Sequence, residues 1–300
     1  MTQLGVGTAP LGGLYEAVSD DEAHRVVEAA WEAGIRFFDT APLYGSGIAE
    51  RRLGSVLRTK PRNEYVLMTK VGRLLRGDAP PDPDQSFKGI PPLNPVFDFS
   101  YDGVMRSVQE SLGRLGLDRV DVLLIHDPDG HHDDALLGAY RALDRLRSEG
   151  TIQAVGAGMN QSEMLARFAR EAQFDCFLLA GRYTLLDRGG AVELLPLCHD
   201  RGIAVIAGGV FNSGILADPG AGAHYNYLPA PPELLARARD MQAICARHGV
   251  DLKAAALQFP LRHPGITAVL TGCRSASELA ENVRLFEAPI PDDVWKELDP

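Results

Sequence analysis

Asp39, Tyr44, Lys70 and His126 are the residues of this 300-residue chain whose types and spacing suit proton chemistry. Asp39 stands near the end of the apolar run 35–40, Lys70 ends the run 65–70 and His126 ends the run 120–126. Tyr44 follows Asp39 in the loop Ala41-Pro42-Leu43-Tyr44-Gly45-Ser46-Gly47. Singly, each has an ordinary role. An Asp at a strand end caps or turns, a Lys there is solvated, a His beside Asp127 makes a structural pair and a loop Tyr packs. Four together at the ends of successive elements outweigh that reading. An isolated tyrosine hydroxyl titrates near about 10, too high for ready proton donation. A nearby ammonium lowers that value, and a carboxylate buried beside the lysine keeps the lysine charged. Lys70 and Asp39 are therefore expected to bring the Tyr44 pKa down, with His126 orienting a carbonyl oxygen or relaying the proton. Such a set is a general acid–base with no nucleophile and no metal. It needs a partner that delivers or accepts a hydride, as a nicotinamide does.

The elements that position these residues alternate regularly. Eight apolar runs, at 5–9, 35–40, 65–70, 120–126, 152–158, 175–181, 203–209 and 266–271, are each followed by a helical pattern. Several are continuous, as in Val120-Asp121-Val122-Leu123-Leu124-Ile125, which suits strands of a parallel sheet covered on both faces. Ser19-Asp20-Asp21-Glu22 is a capping box opening a helix over 23–33, with Gly34 as its stop. A helix is expected over 102–115. Another over 133–148 would place Leu136, Leu137, Tyr140, Leu143 and Leu146 on one face. Ser275-Ala276-Ser277-Glu278 is a second capping box. Eight such units predict an α/β fold, a closed (β/α)8 TIM barrel forming a single domain over 1–300. The rival open sheet usually has fewer strands and a GxGxxG turn after the first, and Gly5-Val6-Gly7-Thr8-Ala9-Pro10 does not match that turn. Two segments interrupt the alternation, a proline-rich long loop at 73–100 and a Gly-, Asn-, Tyr- and Pro-rich one at 211–232. Both follow strand C-terminal ends, where barrel enzymes carry their sites.

Composition narrows the partners. Thirty Lys and Arg against 40 Asp and Glu leave a net charge of −10, which disfavours nucleic acid and anionic membrane. The longest uncharged stretch, from Gly202 to about Leu216, is broken by glycines and is too short to span a bilayer. Cys176, Cys198, Cys245 and Cys273 form no CxxC pair, as expected of reduced thiols. The first thirty residues carry no basic and apolar leader pattern, so a cytoplasmic location is expected. His131-His132-Asp133-Asp134 is read as the polar start of a helix rather than a metal site. Nothing in the pattern specifies an oligomer.

Phe38-Asp39-Thr40-Ala41-Pro42-Leu43-Tyr44-Gly45, Met68-Thr69-Lys70 and Leu124-Ile125-His126 resemble the Asp, Tyr, Lys and His motifs of the aldo-keto reductases. The resemblance runs from Leu4-Gly5-Val6-Gly7-Thr8 to Glu281-Asn282-Val283. It implies a barrel binding NAD(P) in extended form at its C-terminal face. It makes Tyr44 the general acid–base, with Lys70 and Asp39 tuning it and His126 orienting substrate. It assigns Asn160, Gly208, Ser213, Gly272, Arg274, Glu278 and Asn282 to the cofactor. Ala180 stands where the family has Gln, and Gly208-Gly209-Val210-Phe211 replaces its stacking aromatic. Arg274 suits a 2′-phosphate, whereas Glu278 falls where many NADP users have Arg; the balance favours NAD, with NADP the alternative. The short start leaves little room for the family's N-terminal hairpin.

Ala180-Gly181-Arg182-Tyr183-Thr184-Leu185-Leu186-Asp187 and Gly208 to Ala217 resemble a branch holding aldose 1-dehydrogenases for L-fucose and D-threo-aldoses, L-galactose dehydrogenases and pyridoxal 4-dehydrogenases. The resemblance implies a small-molecule sugar or aldehyde substrate and, for the sugar members, hydride removal from the anomeric carbon to give a lactone. Tyr15, Arg182 and Asn212 are the expected substrate contacts. The alternatives are a pyridoxal dehydrogenase, a general aldehyde or ketone reductase, and a barrel that senses NAD(P) without turnover.

Overall fold

The computed structural model describes residues 1–81 and 86–298. Eight parallel strands close into a barrel: β1 (Leu4–Gly7), β2 (Phe37–Asp39), β3 (Val66–Val71), β4 (Val122–His126), β5 (Ala154–Met159), β6 (Cys176–Ala180), β7 (Ala204–Gly208) and β8 (Ile266–Gly272). Each pairs with its neighbours in sequence, and β8 pairs back onto β1. All eight expected strands are present, and among the described residues no strand precedes β1. The interior is filled by Phe37, Met68, Leu124, Leu178, Ile206 and Leu270 among others, each from an inward position of its strand. A larger apolar layer lies between the strands and the helices outside. Among the described residues no helix is long and apolar enough to cross a membrane.

The helices follow their start signals. Ser19 caps α1 (Asp20–Glu32), its hydroxyl accepting from the Glu22 amide at 3.2 Å, and Ala23, Val26, Val27 and Ala30 form its buried face. Then come α2 (Ile48–Leu57), α3 (Tyr101–Leu115), α4 (Arg141–Ser148), α5 (Ser162–Glu171), α6 (Leu194–Arg201), α7 (Pro232–Arg247), α8 (Leu252–Gln258), α9 (Ala276–Glu287) and α10 (Asp292–Leu298).

Three local expectations are corrected. The stretch before α4 is a π-helix over Ala135–Tyr140, not a uniform α-helix. Its wider turn shifts the register, so Ala135, Ala139, Ala142, Leu143 and Leu146 are buried while Leu137 is 70% exposed. Gly138 is needed there because a Cβ would lie 2.2 Å from the Phe99 carbonyl oxygen. The segment 73–100 is not a bare loop. Arg73–Arg76 and Asn94–Phe97 form an antiparallel hairpin, in which Pro95 is tolerated because both strands are edges. The segment 211–232 likewise contains a two-residue hairpin, His224–Tyr225 with Leu228–Pro229, whose turn residues Asn226 and Tyr227 both have positive φ.

Candidate active site

Strand alternation carries Phe37 and then Asp39 inward on β2, Met68 and then Lys70 on β3, and Leu124 and then His126 on β4. At the same uppermost level the other five strands carry Gly7, Gly158, Ala180, Gly208 and Gly272. One half of the barrel mouth is therefore polar and the other nearly free of side chains. A cavity of about 600 Å³ lies over the small residues and runs from Asp39 and Tyr44 to Arg274, Glu278 and Asn282. A second cavity of about 250 Å³ adjoins it, lined by Tyr44, Lys70, Arg73, Phe87, His126 and Asp127. The glycines at alternate positions near the strand ends are the sequence signal of this cleft.

Lys70 Nζ donates to Asp39 Oδ1 at 2.7 Å and Oδ2 at 2.9 Å, to the Thr40 carbonyl at 3.0 Å and to the Tyr44 hydroxyl at 3.0 Å. The Lys70 and Asp39 side chains are 2% and 3% exposed. Tyr44 is delivered by a tight loop in which Gly45 packs backbone to backbone on Gly12; a Cβ at Gly45 would lie 2.2 Å from the Gly12 carbonyl oxygen. The Tyr44 and His126 rings are perpendicular, with centroids 5.8 Å apart.

The electrostatics reverse one expectation. The Tyr44 pKa lies well above 10.0, raised first by burial and then by the Asp39 and Asp127 carboxylates. Burial outweighs the Lys70 ammonium 3.0 Å from the hydroxyl, whose charge also faces Asp39. Burial also raises the Asp39 carboxyl above its ordinary value against the attraction of Lys70. His126 is pushed well below 6.5 by burial, helped by the Arg73 and Lys70 charges, so its imidazole is neutral near neutrality. Its Nδ1 is buried without a partner among the described residues, and its Nε2 lies 3.5 Å from Asp127 Oδ2.

At the far end of the larger cavity Ser275 caps α9, accepting from the Glu278 amide at 3.2 Å. Glu278 accepts from the Arg274 amide at 2.8 Å and from its guanidinium at 2.9 Å, and Arg274 also donates to Glu16 at 3.1 Å. Asn282 is buried, its amide donating to Thr271 Oγ1 at 2.9 Å and lying 3.3 Å from Cys273 Sγ. Asn160, Gly208, Ser213, Gly272, Arg274, Glu278 and Asn282 all line this cavity. The Ser213 hydroxyl accepts from the Tyr227 amide at 3.0 Å.

The three expected substrate contacts fare differently. Tyr15 lines the larger cavity, where its ring lies 6.1 Å from His224 and 6.4 Å from Tyr227, linking the loops after β1 and β7. Arg182 lines neither cavity. Its guanidinium donates to Asn226 Oδ1 at 2.8 Å and sits 3.6 Å from the Asp187 carboxylate, which makes it a clamp on the 224–229 turn. Asn212 touches the cavity, but its carboxamide accepts from Thr184 at 2.6 Å and donates to the Gly181 carbonyl at 3.1 Å, tying the ends of β6 and β7 together. Arg73, Phe87, Asp127 and Tyr227 line the smaller cavity and were not anticipated. Among the described residues no group of three or more His, Cys, Asp or Glu side chains could hold a metal ion.

A parallel barrel with a buried lysine–carboxylate pair behind a tyrosine, beside a neutral histidine and a long cleft, is the architecture of a barrel oxidoreductase. The profile of the Aldo/keto reductase family matches residues 3–300, and the chain belongs to that family. It is therefore an oxidoreductase acting on CH–OH groups, of a family whose members use NAD(P)H. It is 45% identical to pyridoxal 4-dehydrogenase of Microbacterium luteolum, over 99% of this chain and 93% of that one. It is also 45% identical to D-threo-aldose 1-dehydrogenase of a Pseudomonas species, over 98% and 92%. An aldo-keto reductase from Bacillus halodurans solved in its holo form shares the fold, with a TM-score of 0.78 at 23% identity over 99% of this chain and 90% of that one.

Proposed function

We propose that this chain is an NAD-preferring aldose 1-dehydrogenase in which Tyr44 is the general acid–base. The observation that carries this reading is the unbroken hydrogen-bonded line from the Tyr44 hydroxyl through Lys70 Nζ to the Asp39 carboxylate, beside the neutral His126. The residues fit a dinucleotide. A glycine-lined cleft joins the proton-transfer site to a helix N-terminus, which favours phosphate. Asn160, Gly208, Ser213 and Gly272 would hold it along the cleft, with Asn282, Arg274 and Glu278 at the α9 end. When bound, the nicotinamide supplies the hydride acceptor for the substrate carbon.

The protein's own part is proton movement. Tyr44 takes the proton of the reacting hydroxyl as the phenolate in oxidation and returns it as the phenol in reduction, while the Lys70 ammonium, itself held by Asp39, donates to the same oxygen and stabilises the phenolate. Its raised pKa makes the protonated phenol the resting form, so oxidation should accelerate as pH rises. His126 holds the reacting oxygen through a neutral ring nitrogen. NAD is favoured over NADP because Arg274, at the adenosine end, lies between two carboxylates, Glu16 and Glu278, which would repel a 2′-phosphate.

A second reading, oxidation of pyridoxal, has one observation in its favour: Phe87 and Tyr227 give the smaller cavity aromatic walls suited to a flat ring. Formation of reduced cofactor with L-fucose, D-arabinose, L-galactose and pyridoxal tests both. Turnover of the sugars with NAD supports the proposal; turnover of pyridoxal alone replaces it with the second reading, and turnover of none refutes both.

A further inference from the structure

The smaller cavity contains a second charged pair that the proton-transfer set does not use. Asp127 directly follows His126, yet its backbone adopts φ +40°, a left-handed conformation that costs an ordinary residue about 1–3 kcal/mol. Its amide still donates to the Gly158 carbonyl at 3.0 Å, so the turn begins on the barrel ladder itself. Alternation would send this side chain outward after the inward His126. The left-handed turn breaks the alternation, and Asp127 lines the same cavity as His126 and Tyr44. Arg73, the first residue of the 73–97 hairpin, donates to Asp127 Oδ2 at 3.1 Å, and its guanidinium lies 4.8 Å from the Phe97 ring. Among the described residues Asp127 Oδ1 receives no hydrogen bond, and the side chain is 29% exposed. A carboxylate held in place by an arginine, open at one oxygen and 3.5 Å from the His126 ring nitrogen, is placed to accept from a hydroxyl beside the reacting one.

We infer that Asp127, positioned by Arg73, is a specificity-determining residue that accepts a hydrogen bond from the hydroxyl on the carbon next to the reacting carbon. The inference rests on the reading of the Tyr44 site as one that oxidises a CH–OH group of a polyhydroxylated substrate. A site built around such an acceptor rejects analogues lacking the hydroxyl, because the carboxylate is then desolvated without a donor.

The test measures kcat and KM for an aldose and its 2-deoxy counterpart, with the wild type, Asp127→Asn and Arg73→Gln, after circular dichroism and cofactor titration establish that each variant is folded. The wild type should prefer the aldose, and Asp127→Asn should reduce that preference about tenfold or more, with the larger part in KM. Arg73→Gln should reduce it in the same direction by less. A preference that Asp127→Asn leaves intact overturns the inference while leaving the CH–OH reading standing. A wild type that oxidises neither sugar removes the inference together with the polyhydroxylated-substrate reading. Should Asp127→Asn not fold, Arg73→Gln decides: a reduced preference supports the role, and an unchanged one overturns it.

Discussion

Replacing Lys70 by Met tests whether the center of the site is a coupled ion pair or merely two neighbouring polar groups. The ammonium and the Asp39 carboxylate share two contacts, at 2.7 and 2.9 Å, inside a region where both side chains are almost wholly excluded from water. Lys70→Met leaves Asp39 as a buried charge without its partner, a loss of about 3–5 kcal/mol. It also removes the donor to the Thr40 carbonyl, which contributes about 1–3 kcal/mol of the same loss if no water replaces it. Adding Asp39→Asn removes the orphaned charge but not the orphaned carbonyl. The double variant should therefore regain about 2 kcal/mol or more over Lys70→Met while remaining inactive. Urea denaturation of the wild type, both single variants and the double variant gives the cycle directly. A cost below about 1 kcal/mol for Lys70→Met, or a double variant that loses the sum of the two singles, would refute the coupling described here.

Two further outcomes follow from the same geometry. The depressed His126 pKa means that below about pH 6.5 the unfolded chain binds a proton the folded one excludes, so stability is full above that pH and declines as pH falls. His126→Asn should flatten the decline between about pH 6.5 and 5 by up to about 1.4 kcal/mol per pH unit; an unchanged slope in urea midpoints would show that the imidazole is not buried neutral. Glu278→Gln removes one of the two carboxylates on Arg274 and should raise the NADP-to-NAD ratio of kcat/KM about two- to fivefold, the size of an exposed ion-pair effect; an unchanged ratio removes Glu278 from cofactor choice.

Much of the architecture could be read from the chain alone, because two-sided burial makes each barrel strand a continuous apolar run ending in a recognisable residue. Asp39, Lys70 and His126 stood out for the same reason, as the polar ends of such runs. The capping boxes at Ser19 and Ser275 located two helices through local bonding. What escaped depended on geometry without a local signature. Asp127 enters the site only because its φ is positive. Arg73 reaches it at the start of a hairpin that the prolines of 73–100 disguised, and Phe87 through a bridge to Leu14. Arg182 and Asn212 looked like free polar groups until their partners Asn226, Asp187, Thr184 and Gly181 came into contact through the fold. The direction of the Tyr44 shift was misjudged because burial of the ring, with the Asp39 and Asp127 carboxylates beside it, outweighs the lysine, and spacing along the chain reveals neither.

The central claim is that Tyr44 moves the proton. Tyr44→Phe, assayed for reduced-cofactor formation beside the wild type on whichever sugar the wild type oxidises fastest, should lose about 100-fold or more in kcat with cofactor affinity changed by less than about twofold. A variant that keeps more than about a tenth of wild-type kcat would contradict the account.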